Sequence, residues 1–279
     1  MSQSKSHKLV KCISPSPQNN TSSSPLSSPY RIFETHAHLD FKDYAGDRDH
    51  VLAYSFQAGV EKIINVGINL QTTADGLRLS EKYPQIKVSG GFHPCHADSY
   101  DEPQLRQLLN HHNILAVGEV GLDYYRMYTP KEIQLNTFAA QILLAKELNL
   151  PLIVHCREAD QDCYQLLKKY AHPQVVFHCF TGNVHFAEKI FNEGWYISIT
   201  GVVTYPNNNL AEVLRILPRD KFFIETDSPY LTPVPMRGKR NSPAYLIYII
   251  QKIADILLVP PKVIAQQSFT NAEQFFRWN

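Results

Sequence analysis

The chain has 279 residues, 44% of them apolar and 19% charged. That composition excludes a wholly disordered protein, and the length allows one or two domains, or one α/β barrel of about 250 residues. A net charge of +1 excludes a uniformly basic nucleic-acid-binding chain but leaves room for a local basic groove.

Residues 1–30 hold ten Ser, four Pro and three Lys, with no Asp, Glu or Arg. Such a segment buries too little apolar surface to offset its ordering entropy, so it is expected to be a disordered tail. It lacks the apolar stretch of a secretory signal. Its Ser-rich, acid-free character resembles an organelle transit peptide, although such peptides carry Arg. Residues 31–279 are expected to form one domain.

From Tyr30 onward, short apolar runs alternate with helical patterns, the signature of βα units. Eight strands are expected: Arg31–Thr35, Lys62–Val66, Lys87–Gly90, Ile114–Gly118, Pro151–Val154, Val175–Phe177, Trp195–Ile199 and Lys221–Thr226. Thr129-Pro130-Lys131-Glu132 reads as an N-cap, a first-turn proline and a capping-box glutamate, ahead of Leu135, Phe138, Ile142 and Ala145 at helical spacing. Ser242-Pro243 opens another helix, Pro260-Pro261 ends it, and a last helix runs from about Lys262 to Phe276. The apolar stretch Tyr245 to Val259 is broken by Gln251, Lys252 and Asp255, so no membrane span is expected. Eight βα units predict a (β/α)₈ TIM barrel, with a doubly wound open sheet as the alternative. Five cysteines without a CxxC spacing argue against a disulfide framework or thiolate zinc site and for a reducing compartment such as the cytoplasm.

The residues at the strand ends carry the chemistry. The first strand ends in Thr35-His36-Ala37-His38, and the third in Phe92-His93-Pro94. The fourth ends in Glu119 and Gly121-Leu122-Asp123, the fifth in His155, the sixth in His178 and the eighth in Asp227. In a barrel all of these converge on the C-terminal rim. Alternate residues of an extended segment share a side, so His36 and His38 can reach one ion. Taken singly, each residue could be a cap, a turn residue or a hydrogen-bonded core group. Together, four imidazoles and two carboxylates suffice for two divalent ions sharing a ligand. Glu119 is the natural bridge, since a carboxylate has two oxygens. His36, His38, Glu119 and Asp227 are expected on one ion, and Glu119, His155 and His178 on the other. Imidazole-rich ligation favours zinc, manganese or iron over magnesium, and the residual positive charge suits an anionic group such as a phosphodiester.

The segments Glu34-Thr-His-Ala-His-Leu-Asp40, Gly90-Gly-Phe-His-Pro94, Gly118-Glu-Val-Gly-Leu-Asp-Tyr124, Val154-His-Cys-Arg-Glu-Ala159, His178-Cys-Phe-Thr-Gly182 and Glu225-Thr-Asp-Ser-Pro-Tyr-Leu231 together resemble the TatD family of metal-dependent deoxyribonucleases. The resemblance runs from about Ile32 to the C-terminus. It implies a barrel related to the amidohydrolases and a 3′-to-5′ exodeoxyribonuclease acting on DNA, single-stranded or with a free 3′ end. It also implies metal ligation by His36, His38, Glu119, His155, His178 and Asp227. On this reading Asp227, beside Glu119, is the general base of a metal-assisted hydrolysis.

His93 and Arg157 are expected substrate contacts, although His93 could instead play a structural role behind the metal ligands and Arg157 could pair with Glu158 or Asp160. Arg237-Gly-Lys-Arg240 could track a nucleic-acid backbone, and Tyr124 and Tyr125 could stack on bases. Cys156 and Cys179 are expected to point away from the site into the core. Two other functions stay open at this point. One is a binuclear amidohydrolase or deacylase acting on a small molecule, and the other is a non-catalytic metal-binding scaffold.

Overall fold

The structure, a computed structural model, describes residues 29–278; of the tail expected over residues 1–30, residues 1–28 lie outside the described residues. Each apolar run forms a strand: β1 (Ile32–Ala37), β2 (Val60–Val66), β3 (Ile86–Gly90), β4 (Ile114–Asp123), β5 (Leu152–Arg157), β6 (Val175–Phe177), β7 (Tyr196–Ile199) and β8 (Phe222–Ile224). They are parallel and pair in sequence order, whereas a doubly wound sheet reverses direction at a switch point. The ring closes where the His38 amide donates to the Ser228 carbonyl at 2.8 Å and the Asp227 amide to the His36 carbonyl at 2.9 Å. The fold is a (β/α)₈ barrel.

Seven helices connect successive strands: α1 (Arg48–Gln57), α2 (Leu70–Lys82), α3 (Glu102–Leu109), α4 (Lys131–Glu147), α5 (Asp160–Tyr170), α6 (Val184–Asn192) and α7 (Leu210–Ile216). Two more, α8 (Leu246–Leu257) and α9 (Pro261–Phe276), follow β8. Among the described residues no helix is long and apolar enough to cross a membrane.

β4 and β5 outrun the expected ends. β4 continues past Gly118 to Asp123 because it pairs with β5 along its length, Gly121 facing His155 and Asp123 facing Arg157. Gly121 permits the close approach of the two strands. The start of α4 also differs. Pro130 occupies the N-cap position with no side-chain cap bond. Gln134 rather than Glu132 turns back, donating from Nε2 to the Thr129 carbonyl at 2.8 Å and accepting the Asp123 amide at 2.8 Å. Ser242 caps only a short 3₁₀ turn, Pro243–Tyr245, before α8 begins.

The packing places the site at one end. Ile153, Val176 and Phe223 belong to one buried cluster with Phe33, Ile64 and the aromatic residues of α9. Each of the first three precedes by two residues a polar group of the site, namely His155, His178 and Glu225. Strand alternation therefore stacks an apolar layer beneath a polar one. Phe33 meets Phe269 at 5.9 Å, Phe276 at 6.2 Å and Trp278 at 5.2 Å between ring centroids. α9 thus seals the end opposite the site.

Candidate metal centre

Glu119, at the middle of β4, is buried among imidazoles from four strands or their ends. Its Oε1 lies 2.7 Å from His155 Nδ1, 2.7 Å from His178 Nε2 and 3.5 Å from His93 Nε2. Its Oε2 lies 3.5 Å from His36 Nε2 and 3.8 Å from His38 Nε2. The two oxygens thus face different pairs of histidines. Asp227 completes the second group, with Oδ1 at 3.7 Å from His36 Nε2 and 3.5 Å from His38 Nε2.

The spacings of this second group suit a cation. Ligand atoms about 2.1 Å from a tetrahedral ion sit about 3.4 Å from one another, and the group around His36, His38, Asp227 and Glu119 already spans 3.5–3.8 Å. Hydrogen bonding points the same way. Both ring nitrogens of His36 and Nδ1 of His178 are buried without a hydrogen-bond partner. Each costs about 1–3 kcal/mol if left unpaired, a penalty that ligation of the His36 lone pair relieves. His38 Nδ1 donates to the Val66 carbonyl at 2.8 Å, so its neutral form turns a lone pair on Nε2 toward Asp227 and Glu119.

Charge organises the same residues. Burial opposes ionisation of Glu119, but the charge on His178 and its hydrogen bond to the carboxylate hold that group well below the usual range. Burial likewise opposes the charge on His38, and the hydrogen bond and charge of Asp227 outweigh it, raising His38 to about 8. Burial pushes His93 down to about 3. Its Nδ1 accepts the Cys95 amide at 3.1 Å. His93 is therefore a neutral ring with its proton on Nε2, aimed at Glu119.

Sequence reasoning gave no role to three carboxylates, although it placed Asp123 at the end of the fourth strand. Asp123 Oδ2 lies 3.1 Å from His155 Nε2. Glu225 Oε1 accepts the Cys179 amide at 2.6 Å and lies 3.5 Å from His178 Nδ1. Glu34 accepts from the amides of His36 and Thr226 at 3.1 and 2.9 Å, and burial raises its pKa to about 8. A signal existed for Asp123, which keeps the alternate spacing from Glu119 once β4 is read as continuing.

The weaker candidates separate. Arg157 does not pair with Glu158 or Asp160; its guanidinium lies 3.9 Å above the ring centre of Tyr125. Tyr124 is committed, donating its hydroxyl to Asp162 at 2.7 Å beneath Lys131. Of the basic loop, Arg240 bonds the Asp43 carbonyl and, at 2.6 Å, Asp47 Oδ2, while Arg237 stacks on Tyr205 at 4.0 Å. Cys156 and Cys179 are half-buried, Cys156 packing against the core, and Cys179 Sγ meets the Thr200 hydroxyl at 3.7 Å. A cavity of about 330 Å³ opens beside His178, lined in part by Arg157, Phe180, Thr181 and Gly182.

Known proteins resemble the chain along nearly its whole described length. A family model described as TatD related DNase matches residues 33–277. A Bacillus subtilis protein named uncharacterized metal-dependent hydrolase YabD is 38% identical over 254 residues, 89% of this chain and 100% of its own. The 3'-5' ssDNA/RNA exonuclease TatD of Salmonella typhimurium is 34% identical over 256 residues, 88% of this chain and 98% of its own. Among solved structures, YJJV, a TatD homologue from Escherichia coli, superposes with a TM-score of 0.85 at 30% identity, covering 89% of this chain and 99% of that one.

Proposed function

The chain belongs to the TatD-related DNase family of metal-dependent hydrolases, and on that premise we propose that it cleaves phosphodiester bonds of single-stranded DNA from a free 3′ end. One observation carries the proposal. The two oxygens of Glu119 face separate histidine pairs, His155 with His178 and His36 with His38, an arrangement suited to bridging two divalent cations. Asp227 joins the second pair. Zinc and manganese fit so many imidazoles better than magnesium does.

When bound, such a pair of cations would lower the pKa of the attacking water and offset charge on the phosphoryl group. The chain's own residues would do the rest. Asp227 ends in the mouth of the barrel and accepts the proton of the attacking water as general base. His93, neutral with its proton on Nε2, donates a hydrogen bond to a phosphoryl oxygen without adding charge.

The rim supports a single-stranded substrate. Tyr125 and Tyr128 are 59% and 67% exposed on the loop after β4, and Tyr230 is 54% exposed with its ring centre 6.4 Å from that of His38. Arg157 lies over Tyr125 and Arg126 over Tyr128. Exposed aromatic faces beside guanidinium groups stack on bases and meet phosphates without reading sequence. Free thiols at Cys95, Cys156, Cys163 and Cys179 fit a reducing setting such as the cytoplasm.

The test is nucleotide release from 5′-labelled single-stranded DNA. Metal-stripped protein is compared with protein resupplied with zinc, manganese or magnesium, and with His155→Ala. Cation-dependent shortening from the 3′ end, lost in the variant, is the expected outcome. No release with any cation, while metal analysis still finds bound ions, would overturn the nuclease reading and point to a small-molecule hydrolase.

A further inference from the structure

His93, Asp123 and His155 bring three potential ligand atoms together beside the centre, yet their hydrogen bonds leave no room for a third cation. His93 Nδ1 accepts the Cys95 amide at 3.1 Å, so its Nε2 carries a proton and has no lone pair to offer. His155 Nδ1 lies 2.7 Å from Glu119 Oε1 and 3.2 Å from His178 Nε2. A neutral imidazole has one lone pair. If it serves the group formed with Glu119 and His178, the proton sits on Nε2, and Nε2 meets Asp123 Oδ2 at 3.1 Å.

Asp123 is itself held firmly. It is 2% exposed, and its Oδ1 accepts the Arg126 amide at 2.7 Å. Gln134 clamps its backbone, accepting the Asp123 amide at 2.8 Å and donating to the Asp123 carbonyl at 3.2 Å. We propose that Asp123 is a positioning residue: its carboxylate keeps the proton of His155 on Nε2, turns the Nδ1 lone pair toward Glu119 and His178, and so sets the cation affinity of that half of the centre. The proposal rests on the two-cation reading above.

The geometry singles out Asp123→Asn. The Arg126 amide can only donate, so an asparagine must turn its oxygen toward it. Its NH₂ then faces His155 Nε2, which must accept. The proton moves to Nδ1, where a cation needs a lone pair. Asp123→Ala removes the partner but imposes no tautomer. A purely structural role predicts the larger loss for alanine, whereas tautomer control predicts it for asparagine.

Zinc is titrated calorimetrically into metal-stripped wild type, Asp123→Asn and Asp123→Ala, and the ¹⁵N shifts of the His155 ring are read in metal-free protein in alkaline buffer. Wild type should bind two ions. Asp123→Asn should lose about 10–100-fold in affinity at one of them, more than Asp123→Ala, while keeping the higher thermal midpoint of the two variants. The share of the ring proton held on Nε2 should fall from wild type to Asp123→Asn, with Nδ1 gaining it. Equal affinity in wild type and Asp123→Asn, a greater affinity loss in Asp123→Ala, or one ring tautomer in both proteins would overturn the proposal. A wild type that binds no ion pair, with the tautomer shift still present, would instead remove the two-cation reading and the affinity role, leaving Asp123 in control of the ring alone.

Discussion

Gly121 is where a single methyl group tests the architecture of the site most directly. It lies in β4 opposite His155 in β5, with φ at +139°. A Cβ added there would meet the His155 carbonyl oxygen at 2.0 Å and the carbonyl carbon at 2.9 Å. Both atoms are backbone, so β5 itself must move. Holding a non-glycine residue at such a φ costs about 1–3 kcal/mol, and overpacking adds about 1–3 kcal/mol. Gly121→Ala should therefore lose about 2–6 kcal/mol, or about 4–24 °C of melting temperature for a protein of this size. The displaced residue is His155, so zinc affinity should fall with stability. Thermal unfolding by circular dichroism and calorimetric zinc titration read the two effects. Gly46→Ala is the control; nothing lies within 4 Å of the added carbon, and the change should stay within about 0.5 kcal/mol. A Gly121→Ala protein melting within about 2 °C of wild type, with unchanged zinc affinity, would refute the close approach of β4 and β5.

Cation binding should depend on pH through His38. Its pKa is raised from 6.5 to about 8, so the charge stabilises the metal-free fold fully below pH 6.5, and that stabilisation fades as pH rises through 8. Ligation requires the neutral ring, and the pKa values of His155 and His178 are raised as well, so apparent zinc affinity should rise by at least about tenfold per pH unit up to that value; a flat profile in the titration would contradict it. Asp227→Asn should lower turnover on labelled DNA by about 10²–10⁴-fold with little change in melting temperature. Asp227 has φ at +54°, a conformation asparagine also tolerates, and near-normal rates would remove Asp227 from the mechanism. Phe33→Ala should cost about 3–5 kcal/mol in denaturant unfolding yet leave zinc stoichiometry unchanged. A loss below about 1 kcal/mol would mean that α9 does not depend on β1.

Much of the site could be read from the chain because barrel chemistry sits at strand ends. Once His36-x-His38, Glu119, His155, His178 and Asp227 are each seen to come after an apolar run, their convergence is a consequence of parallel strands alone. Asp123 was given no role because the fourth strand was expected to stop at Gly118. In the structure a register shift between Val117 and Val120 lets β4 continue, and the carboxylate stays beside His155. Glu225 escaped because the residue two further on, Asp227, already explained the motif. Arg240 looked available in the sequence, but Asp47, far away in the chain, holds it.

The sequence by itself determined the eight strands, the helical periods between them and the residue types brought to the rim. All of these are local properties, written in patterns of a few residues. Only the tertiary structure decided that the sheet closes between β1 and the segment after β8. It alone decided which oxygen of Glu119 faces which histidine pair, and which ring nitrogen of His38 and His93 carries the proton. Those outcomes depend on register and on hydrogen-bond partners from distant strands, such as the Val66 carbonyl that accepts from His38. No short-range pattern encodes them, because a shift of one residue in pairing would reverse every side chain while leaving the local periodicity unchanged.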